Sequence, residues 1–238
     1  MQRLFFFMLV VGFPFLIQGC EDEKECSAYR LTAQFDVKNT DGGDATFLYN
    51  ADGSLRKVSG RYNRDDNFFY DATGRLIRAE IGNENGAKLL FAYDAKGRVI
   101  SMYQDMDYID STVFVYDDRD RMIKTLFYRT NPEIFYYYDI EYPDVGTVKK
   151  SVYFRDPDTK DFGLGYVDTY TLDNHPRPHA QEYYLYQFPI EESFLQHNPL
   201  SIHSTYDGGK VITKSFTYNA AGYPVSEGDT FTYEYSCK

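Results

Sequence analysis

Three clusters in the sequence carry side chains able to do chemistry. His175-Pro176-Arg177-Pro178-His179 sets two imidazoles at a spacing that can reach one metal ion. The prolines stiffen the stretch, and apart from Asp173 no carboxylate or cysteine stands beside it at ligand spacing, so exposed loop histidines are the expectation. Asp156, Asp158 and Asp161 offer oxygen ligands, but Lys160 stands where a calcium loop needs an oxygen and the closing glutamate is missing. A polar turn is expected there. Tyr136-Tyr137-Tyr138 and Tyr183-Tyr184 with Tyr186 lie beside Asp139 and Glu182. Such rings can stack on sugars while the carboxylates accept hydroxyl hydrogens. Tyr137 and Tyr184 are the candidate ligand contacts; β-propensity and core packing are the competing explanation, and the chain has no Trp. The sequence contains no HExxH, no GxSxG and no P-loop, and Gly163-x-Gly165 alone defines nothing. The expectation is a protein that is not an enzyme and uses no cofactor and no metal.

The first 20 residues carry a different chemistry. Arg3 is followed by an apolar run from Leu4 to Ile17, then Gln18, Gly19 and Cys20. That is the order of a cleavable export leader over residues 1–19, and the run is shorter than the about 20 residues a membrane-spanning helix needs. Ile17-Gln18-Gly19-Cys20 resembles the lipobox of bacterial lipoproteins, with Gln an unusual second residue. The resemblance implies that Cys20 is the first residue of the mature chain and bears acyl chains; the alternative is a plain leader with a chance cysteine. Each buried CH₂ of such a chain contributes about 0.8 kcal/mol of membrane affinity, and stable anchoring takes more than one chain. Residues 20–27, with the acidic run Glu21-Asp22-Glu23-Lys24-Glu25, form a tether.

Charge and cysteine usage agree with an exported protein. Acidic side chains outnumber basic ones 36 to 25, and Arg3 leaves with the leader. A nucleic-acid partner is therefore not expected, because phosphate binding needs a basic stripe. With Cys20 assigned to lipid, Cys26 and Cys237 remain as an even pair, one just before and one near the end of residues 28–238, which are read as a single domain. They are either bonded or two free thiols. A bond would bring the first strand beside the last as antiparallel neighbours, and the loop-entropy model assigns it roughly 5 kcal/mol as an upper figure.

The elements that position these groups follow from an internal repeat. FLYNADGSLRK begins at Phe47, FFYDATGRLIR at Phe68, FAYDAKGRVIS at Phe91, FVYDDRDRMIK at Phe114 and FTYNAAGYPVS at Phe216, with a degenerate copy from Tyr136. The first five starts in the block before the long insertion lie 21, 23, 23 and 22 residues apart. An aromatic, one residue, then Tyr share one face of a strand. Asp or Asn then bonds its own downstream backbone and Gly supplies a positive φ. Asp71 with Gly74, Asp94 with Gly97 and Asn219 with Gly222 are accordingly turn pairs, and Asp120 takes the glycine place in one unit. Each unit is a hairpin, and stacked hairpins make a meander. Residues 155–165 and 173–179 read as loops, and Pro189 to His197 as a helical turn or two ended by Asn198-Pro199.

The core Tyr-Asp-x-x-Gly-Arg at Tyr70 to Arg75 and Tyr93 to Arg98 resembles the YD (RHS-type) repeat. A closer resemblance is to β-rich lipoproteins of Bacteroidota, a domain-of-unknown-function family with a porin-like fold. It rests on the lipobox, the hairpins, the Asn198-Pro199-Leu200 step and the ending Tyr218 to Pro224 followed by Phe231 to Tyr235. The acidic run after Cys20 is also similar to the surface-export signal of such lipoproteins, the alternative being a solvated tether. The resemblance implies an outer-membrane lipoprotein, displayed at the cell surface or facing the periplasm.

The fold expected is all-β and soluble: an antiparallel meander of YD-like hairpins, curled or closed into a barrel-like, porin-like roll with Tyr and Phe inside. Arg78 and Glu80 alternate with Ile77, Ala79 and Ile81, and a basic residue facing lipid at the midplane costs about 2–4 kcal/mol; the acyl chains, not the strands, would hold the protein to the membrane. The function expected is that of a non-enzymatic envelope lipoprotein binding a glycan or a protein partner. The second possibility is a carrier enclosing a lipid or other apolar ligand in its rolled aromatic sheet.

Overall fold

A computed structural model describes residues 29–38, 43–60, 64–82, 86–105, 111–129, 133–178, 194–206 and 208–237. They form one antiparallel sheet of 17 strands with no helix among them. Cys20, Cys26, Tyr184 and most of the Pro189 to His197 stretch lie outside the described residues.

Hairpins build the first part of the sheet: β2 (Ala45–Tyr49) with β3 (Leu55–Ser59), β4 (Asp65–Tyr70) with β5 (Leu76–Ile81), β6 (Ala87–Tyr93) with β7 (Val99–Gln104), and β8 (Ser111–Tyr116) with β9 (Met122–Tyr128). The aromatic of each repeat, Phe47, Phe68, Phe91 and Phe114, points into a common core. Burying such a ring contributes about 1.5–3 kcal/mol, and this repeated gain sets the register, since a slip of one residue would turn every ring to the other face.

The turns between paired strands share one backbone pattern, and three of them, at Asp71, Asp94 and Asp117, share the same Asp-Arg side-chain bonds. In Asp71 to Arg75 the Asp71 N–H donates to the Arg75 carbonyl at 2.9 Å, and the Gly74 N–H donates to the Asp71 carbonyl at 3.0 Å. Asp71 Oδ1 accepts from the Thr73 and Arg75 amides at 2.9 and 3.0 Å, while Oδ2 takes the Arg75 guanidinium. Asp94 with Arg98 and Asp117 with Arg121 repeat the pattern. Gly74 and Gly97 both have φ of +81°, and Asp120 in the glycine place has φ of +61°. Asn219 holds its turn with amide bonds from Ala221 and Tyr223, and Gly222 has φ of +85°. All six turn residues singled out in the sequence thus sit in tight turns.

Beyond β9 the pairing continues through β10 (Ile134–Glu141), β11 (Thr147–Arg155), β12 (Phe162–Pro176), β13 (His197–Ser204) and β14 (Lys210–Thr213). Parts of two stretches read as loops are strand instead, while residues 156–161 do form a turn: Phe162 to Leu164 pairs with β11, and Pro176 pairs with His197. The glycines there do not break the ladder but adapt it, since β11 and β12 shift register at Gly165, where any Cβ would run into the Phe154 ring. The expected helical turn also fails in its described part, because His197 already belongs to β13 and Asn198 and Pro199 continue that strand.

The last strands, β15 (Phe216–Tyr218), β16 (Pro224–Glu227) and β17 (Phe231–Cys237), lead back to β1 (Tyr29–Asp36), which pairs with both β17 and β2. The spatial order therefore runs from β15 through β17 and β1 to β14. The roll is curled but not closed by backbone pairing: among the described residues no ladder joins β14 to β15. Side chains clasp this seam. Asn198 donates to Asp173 Oδ2 at 3.0 Å, the Tyr218 hydroxyl donates to the same oxygen, and the His175 ring stacks on Tyr218 at 4.0 Å.

A line of tyrosines ties neighbouring hairpins together. Tyr49 donates its hydroxyl to the Leu31 carbonyl, Tyr70 to Leu55, Tyr93 to Leu76 and Tyr116 to Val99, at 2.7–2.8 Å. The line ends at Tyr142, which donates to the Met122 carbonyl at 2.9 Å. The degenerate copy is therefore phased on Ile140 and Tyr142 rather than on Tyr136 and Tyr138; Asp139 lies within β10 and pairs with Lys124 at 2.9 Å. Arg75, Arg98 and Arg121 each cover the next tyrosine, at 5.4, 4.8 and 4.5 Å. Burial under this cover pushes the Tyr116 and Tyr142 hydroxyls up to about 12.

Candidate functional site

Strand polarity gives the roll two unlike rims. The Asn50 turn after β2 and the Asp-Arg turns after β4, β6 and β8 all lie at one rim. Tyr29 and Cys237 pair across β1 and β17 at this same turn rim, so the chain enters and leaves the sheet there. The far rim carries the start of β10, the end of β11, the start of β12 and the residues just after β13.

Aromatic side chains gather at the far rim across β9 to β13. On the inner face Phe127 stacks on Tyr136 at 4.2 Å, and the row continues Tyr136–Phe154 at 6.1 Å, Phe154–Tyr166 at 6.2 Å and Tyr166–Tyr206 at 5.3 Å. Phe127 is fully buried, but Phe154 is 44% and Tyr206 74% exposed, so the row emerges from the core into solvent. Antiparallel pairing produces it: Tyr136 faces Phe154 across β10 and β11, which puts both rings on one side of the sheet.

Beneath the row lies a charge pair inside the core. Lys150 Nζ is 3.0 Å from Asp168 Oδ2, with the two side chains 2% and 9% exposed. The rings of Tyr138, Tyr166 and Tyr170 surround the ammonium at 5.0, 5.8 and 5.9 Å, which supplies cation–π stabilisation where water is excluded. Neither Lys150 nor Asp168 carried a signal in the sequence beyond the strand alternation that puts both inside.

Tyr137, the described member of the two predicted contacts, lies on the outer face of the same region. Its ring stacks on Tyr153 at 4.7 Å with an interplanar angle of 12°, Phe162 meets it edge-on at 5.1 Å, and Lys124 Nζ stands 4.5 Å from its centroid. Partial burial, then the charge of Asp139, raises the hydroxyl pKa. Across β6 to β12 the outward neighbours of this pair are Ala92, Ser101, Val113, Leu126 and Leu164, a row without charge.

The other described residues that the sequence singles out serve the fold, and His179 lies outside the described residues. Cys237 is disulfide-bonded. Asp156 accepts the Asp158 and Thr159 amides at 2.8 Å, making the polar turn expected there, and those bonds lower its pKa. His175 belongs to the seam clasp. No group of three His, Cys, Asp or Glu able to hold a metal occurs among the described residues, and no helix among them is long and apolar enough to cross a membrane. On the outer face Arg78 covers Phe69 at 4.0 Å and lies 3.6 Å from Glu80.

The fold defines the class: an all-β antiparallel meander curled into a roll. Its backbone is similar to that of a porin-like protein from Bacteroides uniformis, with a TM-score of 0.59 and 13% identity over 87% of this chain and 96% of that one. A protein of unknown function from Bacteroides fragilis matches 65% of this chain and 91% of its own at 14% identity, with a TM-score of 0.26. No family model and no curated protein matches the chain.

Proposed function

We propose that this protein is a membrane-tethered envelope lipoprotein of the porin-like, Bacteroidota type, held by acyl chains on Cys20 and acting as a binding module. The observation that carries this reading is the placement of exposed aromatics at the rim opposite to the one where the chain enters the sheet at Tyr29. Residues 20–28 can reach about 30 Å at most, even fully extended. An anchor at Cys20 therefore keeps the turn rim near the bilayer and aims the far rim away from it, toward a glycan or protein partner in the outer-membrane or surface environment. The carrier reading gains less support, because Phe47, Phe68, Phe91, Phe114 and Phe127 fill the interior at 8% exposure or less.

Mass spectrometry of the mature protein tests the anchor: an acylated Cys20 is expected, with Cys20→Ser shifting the protein from the membrane to the soluble fraction. An unmodified terminus on a membrane-associated protein would end the proposal.

A further inference from the structure

Resting on the reading of a tethered binding module, we infer that the inner row Tyr136–Phe154–Tyr166–Tyr206 binds an uncharged polysaccharide laid across the strands, one pyranose to a ring. The rings step by 6.1, 6.2 and 5.3 Å and turn by 48°, 42° and 63° from one to the next, a staggered row on which the successive, mutually turned pyranoses of a twisted chain can each meet one ring. A pyranose offers a flat face of C–H groups to an aromatic ring and hydroxyls at its edge. Partly exposed rings that also carry hydroxyls, as Tyr136, Tyr166 and Tyr206 do, match both features, and Phe154 supplies a purely apolar face between them.

The net negative charge of the chain disfavours an anionic polymer. Glu133, at 62% side-chain exposure, stands at this rim in contact with Arg155 at 3.1 Å, and the chain as a whole has 36 acidic to 25 basic side chains. Such a field repels a polyanion and leaves carboxylates to accept sugar hydroxyls. A protein partner would gain more from a contiguous apolar patch than from a row one ring wide. The far rim also faces away from the anchor, where a long polymer has room to pass.

Affinity gel electrophoresis of the Cys20→Ser mature chain tests this, with soluble neutral glucans, mannans and galactans in the gel and hyaluronan and heparin as anionic controls. Retardation by at least one neutral polymer is expected. Tyr206→Ala, at a side chain exposed enough to leave the fold intact, should weaken it by about tenfold, and Phe154→Ala should weaken it with the circular dichroism spectrum unchanged. Ile77→Ala, at an exposed position near the turn rim, should bind as the parent does. No retardation by any neutral polymer, retardation by the anionic ones alone, or full retention of binding in Tyr206→Ala and Phe154→Ala would each overturn the inference, as would capture of a protein partner through this row with the neutral polymers ignored. Because acylation of Cys20 is read separately by mass spectrometry, such a failure stays distinct from failure of the tethered-lipoprotein reading.

Discussion

Tyr235 faces Leu31 across β17 and β1 in the register that Tyr70 keeps with Leu76 across β4 and β5. The likeness extends to the neighbours. Tyr235 donates its hydroxyl to the Pro224 carbonyl at 2.7 Å, and the Leu31 carbonyl accepts from Tyr49. Arg30 lies 5.6 Å over Tyr49, as Arg75 covers Tyr93. β1 and β17 thus form one further hairpin of the series, split where the other units have their tight turn, with the Cys237 disulfide at the break.

Joining the split unit should preserve the fold. A circular permutant linking Tyr235 to Arg30 through Asp-Ala-Thr-Gly, opened between Gly208 and Gly209, is expected to unfold cooperatively in urea with the parent's β-sheet spectrum. A molten product would show that the split ends do not behave as a hairpin. In the uncut protein, Cys26→Ser with Cys237→Ser should lower stability by up to about 5 kcal/mol if these two form the bond.

The hairpins, their turn residues and the inward aromatics were legible in the sequence because each unit repeats the same local chemistry within about 22 residues. The split unit was not, since its halves stand at opposite ends of the chain and only pairing reveals that Arg30 occupies the place of Arg75. The last copy of the block was misphased because the aromatic run Phe135 to Tyr138 satisfies the pattern in more than one register, and the tyrosine that completes the line, Tyr142, precedes Pro143 rather than Asp. Phe154, Tyr166 and Tyr206 were missed as a site because nothing local distinguishes them from core residues; cross-strand register alone lines them up.

Removing a single link of the tyrosine line has a defined cost. Tyr93→Phe leaves the Leu76 carbonyl without its hydroxyl partner and should destabilise by about 1 kcal/mol. Tyr103→Phe, on an exposed ring of β7, should be neutral; urea midpoints of the two variants decide the matter.

Acid should weaken the turns. Asp71 is held below the usual carboxylate range first by the Thr73 hydroxyl, and Asp94 and Asp117 first by the Arg98 and Arg121 amides. Groups depressed in the folded state contribute stability that is present above their unfolded value, near 3.9, and lost as pH falls through the folded values. Urea midpoints should therefore fall below about pH 4, and less steeply in an Asp71→Asn, Asp94→Asn, Asp117→Asn variant. Equal acid sensitivity of the two proteins would contradict the assignment.

The buried pair should respond asymmetrically. Lys150→Met alone leaves the Asp168 carboxyl in the core without its partner and should cost about 3–5 kcal/mol, whereas Lys150→Met with Asp168→Leu should recover most of that loss. A double variant as unstable as the single one would refute pairing as the source of the effect.

The orientation of the tethered roll is tested most directly with the acylated protein on liposomes that carry a headgroup quencher. A fluorophore is placed on a cysteine at Ala72, in the turn rim, or at Tyr206, in the far rim. Strong quenching at position 72 and weak quenching at position 206 are expected. Equal quenching at both, or stronger quenching at 206, would contradict an aromatic rim held away from the membrane.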